Sequence, residues 1–235
     1  MSSASSSDSA VAQDYVKIIY SATEWGGDPV SVTGLAQRMG VAASTASENV
    51  RRLVDQGLVE HVPYKGMTLS EEGRAQALRM IRRHRLLETY LHDRLGFEWD
   101  QVHEEAEALE HAVSDMLVDR IDAELGYPTA DPHGDPIPSA DGTVTRAKYR
   151  DLAALGEGES AQVLRISDHD PELLRFFNER GVVPGTMISL VERRPYAGTI
   201  VVAVGQGEDA TRLELAQTAA ESVWITADED APGGR

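Results

Sequence analysis

Between Val102 and His111 the chain reads VHEEAEALEH, ten residues that hold two histidines and four glutamates. On a helix, His103, Glu107, Glu110 and His111 are separated by steps of four, three and one, and steps of three and four bring side chains to one face. Upstream, within RRHRLLETYL, His84 and Glu88 are again four apart. Without a cation between them, such acidic groups would repel one another. Neutral imidazole and carboxylate suit first-row divalent metals, and a carboxylate-rich set leans towards Mn(II) or Fe(II). Two antiparallel helices carrying His and Glu at this spacing can close a coordination shell between them. The plainer alternative is a solvated acidic face with incidental histidines, and six residues on two helices at matched spacing weigh against it. Catalytic metal chemistry has less behind it. No HExxH motif is present, and Glu107 and Glu110 form Glu-x-x-Glu where a di-iron bundle needs Glu-x-x-His. His61 is assigned to a wing, His92 to a helix flank, and His133 and His169 to loops, all without a ligand role.

The elements that must position these groups follow from the pattern on either side. Apolar residues at Val11, Tyr15, Ile18, Ile19 and Ala22 predict a helix that Gly26–Pro29 breaks. Ser31 caps a short helix with Leu35, Ala36 and Met39 inward, and Gly40 ends it. Ser44 is read as the cap of a second helix, with Val50, Leu53 and Val54 on one face until Gly57. The outer face of that second helix is polar, with Ser44, Thr45, Ser47 and Asn49, then Arg51 and Arg52. Two β-rich runs around Pro63–Gly66 make a hairpin, so the segment is a winged helix-turn-helix. Ser70 starts a helix running to about Leu95, and a second helix is expected from Trp99 to Leu125; the two apolar stripes suit a helical dimer interface. The Pro- and Gly-rich loop Tyr127–Gly142 is expected to be irregular. Five short strands, AQVLRIS, TMISLVERR, GTIVVAVG, TRLELA and SVWIT, with one helix at PELLRFFNERG, predict a small SH3-like β-barrel.

The fold class is therefore mainly α with small β. Its expected divisions are a disordered tail at 1–10, a winged-helix DNA-binding domain at 11–72, a helical metal-binding and dimerisation domain at 73–142, a tether at 143–160, an SH3-like domain at 161–226 and a disordered tail at 227–235. The net charge of −17 argues against nucleic acid at first sight. Its distribution reverses that: Val30–Arg85 holds nine Lys/Arg against five Asp/Glu, leaving −21 elsewhere. The docking face matters more than the sum. There is no cysteine, which excludes disulfides and thiolate sites. No apolar window reaches the roughly 18 residues of a membrane span, and the Ser-rich start lacks the marks of a signal peptide. A cytoplasmic protein is expected.

This order of domains resembles the diphtheria toxin repressor family. The matching text is AQDYVKIIY, STASENVRRL, RRHRLLETYL, VHEEAEALEHAVSD and DPHGDPIP, and the likeness spans about residues 11–226. The resemblance implies a homodimeric, metal-activated transcriptional repressor, no enzyme, binding a pseudo-palindromic double-stranded operator and no membrane. Carried over residue by residue, it implies a primary metal site of Asp14, Glu107, Glu110 and His111. It implies an ancillary site of His84, Glu88 and His103 completed by an SH3-like-domain carboxylate, with Asp170 the best match in SDHDPELLRFF and Glu172 the weaker one. Ser44, Thr45, Ser47, Arg51, Arg52 and wing Lys65 are the expected DNA contacts. Iron-type members use Met in the first helix and Cys in the dimerisation helix, and Asp14 and Glu107 stand there instead. That points to the manganese transport regulators and to Mn(II) as cofactor, with Fe(II) as the alternative and Co(II), Cd(II) or Zn(II) able to substitute in vitro. Simpler manganese regulators add an acidic ligand one turn after the first aspartate; here that position is Lys17, so separate sites are expected rather than a bridged pair. A metal-independent winged-helix regulator and a metalloenzyme are the competing possibilities.

Overall fold

A computed structural model describes residues 3–62 and 66–227. The chain forms two compact units. The first runs to His84 and includes Glu110–Ala112 and Pro138–Thr143; the second comprises Arg85–Leu109, Val113–Ile137 and the chain from Val144 onward. The division between the units falls inside a helix, between His84 and Arg85.

In the first unit, α1 (Ser3–Glu24) buries Tyr15, Val16, Ile19 and Tyr20, α2 (Val32–Arg38) buries Leu35 and Ala36, and α3 (Ala43–Asp55) buries Ala46, Val50 and Leu53. Ser31 caps α2, its hydroxyl accepting from Gly34 N at 3.1 Å. Ser44 does not cap α3. That helix begins one residue earlier, with Ala42 at the cap position, so Ser44 lies in its first turn. α1 starts at Ser3, inside the run expected to be a tail; MSSASSSDSA has no Gly or Pro to stop it. The wing pairs β1 (Val59–Val62) with β2 (Gly66–Leu69) in register Val59↔Leu69 to Val62↔Gly66. Lys65 lies outside the described residues. Ser70 accepts from Gly73 N at 3.0 Å and opens α4 (Glu71–Leu95), which Gly96 ends at φ +74°.

In the second unit, Leu86, Leu87, Leu91, Val102, Ala106, Val118, Ile121 and Ile137 make one core. The helix expected from Trp99 to Leu125 is two helices, α5 (Val102–Leu109) and α6 (Asp115–Glu124). Ser114 caps α6 by accepting from Leu117 N at 3.3 Å. Glu110 and His111 therefore sit in the turn after α5, free of a helix's fixed side-chain directions.

A second core around Leu174, Phe177, Ile188, Leu190, Ile200 and Val202 is wrapped by six antiparallel strands. They are β3 (Tyr149–Asp151), β4 (Ser160–Ile166), β5 (Met187–Arg194), β6 (Thr199–Val204), β7 (Thr211–Ala216) and β8 (Val223–Thr226), in the order β3-β8-β4-β5-β6-β7. The SH3-like sheet is not closed, because the edge strands β3 and β7 do not pair among the described residues. β3 comes from the expected tether. α7 (Pro171–Glu179) supplies Leu174 and Phe177. The loop before the sheet is irregular as expected, and it is fixed to β4: Ile166 N donates to His133 O at 2.9 Å, and Gly134, at φ +93°, comes so close that a Cβ would stand 1.9 Å from Leu164 O. The expected tail beyond Ala227 lies outside the described residues.

Candidate metal centre

In the first unit, α1 meets the Glu110–His111 turn. His111 Nε2 lies 2.7 Å from Asp14 Oδ1, and Nδ1 lies 3.1 Å from Gln13 Oε1. Both ring nitrogens thus face oxygens, and Nε2, the one beside Asp14 and Glu110, is placed to coordinate an ion once it gives up its proton. Glu110 is wholly buried. Its Oε1 accepts from Lys17 Nζ at 2.6 Å and stands 3.6 Å from His111 Nε2, while Oε2 meets His84 Nδ1 at 2.6 Å. Arg83 donates to the Glu110 carbonyl at 3.1 Å and holds the turn in place. The expected mutual repulsion of the acids is thus answered within the chain: His111 faces Asp14, and Lys17 and His84 face Glu110.

Burial pushes the Asp14 carboxyl above its ordinary value, against the pull of His111 and Lys17. For Glu110, burial is again the largest influence and acts upward, but His84 and Lys17 together outweigh it and hold the carboxyl below its ordinary value. Asp14, Glu110 and His111 each offer one donor atom, all within 4.8 Å of one another. Two carboxylates and one imidazole, with no sulfur, are a donor set that a hard to borderline divalent ion fits. Glu107 belongs to the second unit, half-exposed on α5, with Oε1 3.9 Å from His103 Nε2.

The second unit holds a separate cluster. Glu88 on α4, 1 % exposed, reaches His103 Nδ1 at 3.2 Å through Oε1, and the same nitrogen is 3.4 Å from Asp168 Oδ2. Asp168, immediately beyond β4, is thus the SH3-like-domain carboxylate beside His103. Asp170 is not: its Oδ1 caps α7, accepting from Glu172 N at 2.9 Å and Leu173 N at 3.2 Å, and Glu172 lies in that helix's first turn.

His133, read from sequence as a plain loop residue, belongs to this cluster as well. One donor atom each from Glu88, Asp131 and His133 lie within 4.8 Å of one another, and all three residues are buried. His133 Nε2 donates to Trp99 O at 2.8 Å, so the lone pair is on Nδ1, which is buried and has no hydrogen-bond partner among the described residues. An imidazole whose N–H is held by a carbonyl and whose other nitrogen is open is the usual state of a metal ligand. Asp131 Oδ1 accepts from His133 N at 2.9 Å and Asp135 N at 3.0 Å, which folds DPHGD into a tight turn. Arg85 and Arg165 answer Asp135 at 3.2 and 2.7 Å, leaving four carboxylates (Glu88, Asp131, Asp135, Asp168) against two guanidiniums. Burial, Asp135 and Glu88 push Asp131 well above its ordinary value despite Arg85. Asp168 feels burial and Glu88 upward, but His103, His133 and Arg165 bring it below. Asp-x-His within a Pro-bounded turn was the signal in the sequence for these residues.

The outer face of α3 exposes Ser44, Thr45, Ser47, Arg51 and Arg52. Asn49 turns inward instead. Its Nδ2 donates to the hydroxyl of the fully buried Tyr15 at 3.1 Å, and its Oδ1 accepts from Arg52. α1 thus carries Asp14 to the metal-type cluster and, one residue on, Tyr15 to the exposed helix.

Three family models match the chain: the N-terminal DNA-binding domain of iron-dependent repressors over residues 9–67, their metal-binding and dimerisation domain over 70–139, and the FeoA domain over 150–227. The iron-dependent repressor IdeR of Mycobacterium leprae is 31% identical over 209 residues, 84% of this chain and 90% of that protein. IdeR of Mycobacterium tuberculosis is 32% identical over 214 residues, 86% and 92% of the respective chains. Among solved structures, a manganese-dependent transcriptional repressor in complex with manganese superposes with a TM-score of 0.87 at 50% identity, covering 92% of this chain and 99% of that one. ScaR with bound Cd2+ superposes with a TM-score of 0.77 at 28% identity, covering 91% and 98%.

Proposed function

The chain belongs to the iron-dependent (diphtheria toxin) repressor family, and from that premise we propose that it is a Mn(II)-activated, homodimeric, cytoplasmic repressor of manganese-uptake genes. The observation that carries this reading is the sulfur-free convergence of Asp14, Glu110 and His111, with Nδ1 of His111 already engaged by Gln13. Glu107, three residues before Glu110, is the fourth ligand that the family resemblance adds. A second site would draw on Glu88, Asp131, His133 and Asp168, with His103 alongside. When bound, a divalent ion supplies the positive charge that lets these carboxylates share one shell.

The chain's own residues do the rest. Asp14 draws α1 onto the Glu110–His111 turn. Tyr15, next on the same helix, holds Asn49, and Asn49 holds Arg52 on the exposed face of α3. The orientation of the reading helix is thereby tied to the seating of α1. In a dimer the two reading helices must stand roughly 34 Å apart to enter successive major grooves. Ser44, Thr45 and Ser47 face the groove at the helix start, and Arg51 and Arg52 meet phosphates. Metal coupling of ~1–3 kcal/mol per site is the usual scale for such control.

Iron is the alternative effector, favoured by the names of the mycobacterial relatives. A DNA-binding titration of chelator-treated protein, run metal by metal on a site selected from random-sequence DNA, separates the possibilities. Mn(II) at lower free concentration than Fe(II) supports the proposal. Preference for Fe(II) overturns the choice of metal, and DNA binding independent of any metal overturns the whole reading.

A further inference from the structure

Beside the three converging donors stands a nearly buried cation. Lys17 stands one turn after Asp14 on α1, its side chain 11% exposed, with Nζ 2.6 Å from Glu110 Oε1. That is the oxygen turned towards His111 Nε2, at 3.6 Å; the other, Oε2, is committed to His84. An ion held jointly by Asp14, Glu110 and His111 would therefore take the oxygen that the ammonium already holds.

We infer that Lys17 is a tethered counter-ion that competes with the divalent ion for Glu110 Oε1 and so sets the concentration at which the centre fills. The inference rests on reading Asp14, Glu110 and His111 as metal ligands. A carboxylate with no exposure to water needs a positive partner at all times. A lysine suits that post, because its charge rides on a flexible four-carbon stem that can give way by rotation. Because Lys17 stands on the helix that brings Asp14, exchanging the ammonium for the metal changes how α1 is seated on the Glu110 turn. Two positive charges at contact with one oxygen repel, so the ammonium raises the free ion concentration needed.

The test compares Mn(II) binding to the full chain as wild type, Lys17→Met, Lys17→Gln and Lys17→Arg, by competition with a fluorescent chelator. The unfolding temperature of each is followed in parallel with the metal chelated. Lys17→Met should bind Mn(II) about tenfold or more tightly than wild type, the scale on which groups bordering a metal act. Its chelated form should unfold at lower temperature, so that Mn(II) stabilises it by a larger margin. Lys17→Arg should stay within about threefold of wild type on the same scale. Lys17→Gln keeps a donor for Glu110 and carries the test should Lys17→Met not fold. Unchanged or weaker Mn(II) binding in the folded uncharged variant overturns the competitor role while leaving the metal reading intact. Wild-type protein that binds no divalent ion overturns both.

Discussion

Replacing Tyr15 by Phe removes one oxygen from the link between α1 and α3 and leaves the ring in the core. The lost interaction is a neutral hydrogen bond of 3.1 Å from Asn49 Nδ2. Such bonds contribute ~1 kcal/mol net, and Asn49 is only half-buried, so water can reach part of its amide. Stability should fall by about 1 kcal/mol, with no cavity cost. A dimer reading DNA through both copies of α3 loses the link twice, ~2 kcal/mol, which is roughly a 30-fold loss of metal-dependent DNA affinity. Mn(II) binding itself should stay near wild type, since Asp14, Glu110 and His111 are untouched. Fluorescence anisotropy on labelled DNA with saturating and with chelated Mn(II) gives the enhancement for each variant, and chelator competition gives the metal affinity. A double-mutant cycle with Asn49→Ala isolates the pair. Full wild-type enhancement in a Tyr15→Phe protein of the expected lowered stability would refute the link, as would additivity in the cycle.

Asp168→Asn should weaken the second metal-binding event with little change in the first, seen as loss of one phase in Mn(II) titration calorimetry. Asp170→Ala should cost about 1 kcal/mol of stability through the α7 cap and leave Mn(II) binding alone; the reverse pattern would restore Asp170 as the ligand. Gly134→Ala places a Cβ 1.9 Å from Leu164 O at φ +93°, so thermal unfolding should show a loss of at least about 3 kcal/mol. The Asp141 carboxyl, held down first by the Ser139 hydroxyl and then by Thr143, should titrate at about 2 in a carboxyl-detected NMR experiment. Because its folded value is depressed, its contribution to the Ser139–Thr143 turn is full above the ordinary value of 3.8 and disappears as pH falls through about 2. Titration at the ordinary value would disprove the turn's hydrogen bonds.

The parts of the fold visible in the sequence are those governed by local chemistry. Ser31 and Ser70 open helices because a hydroxyl satisfies their first N–H groups, and Gly96 closes one because the chain must turn left-handed there. The break between α5 and α6 was hidden because Leu109, Val113 and Leu117 keep the helical repeat running through it; only the Ser114 cap marks the stop. β3 escaped because three residues carry no usable alternation, and its strand character comes from pairing with β8. At the site, Glu110, His111, Glu88 and His103 were picked out by type and spacing, whereas Asp14 came only with the family resemblance. Asp168 was missed in favour of Asp170 and Glu172, since Asp168 and Asp170 both flank His169 and only the geometry of α7 shows that Asp170 is the cap. His133 was passed over because its partners, Glu88 and the carbonyl of Trp99, are 45 and 34 residues away in the chain.

Adjacent residues on a helix point about 100° apart and differ by ~1.5 Å along its axis. Asp14 and Tyr15 are such neighbours, one addressed to the Glu110–His111 turn and the other to α3. A stiff rod with two offset pegs cannot shift one without shifting the other. Whatever holds Asp14 against that turn therefore also aims α3.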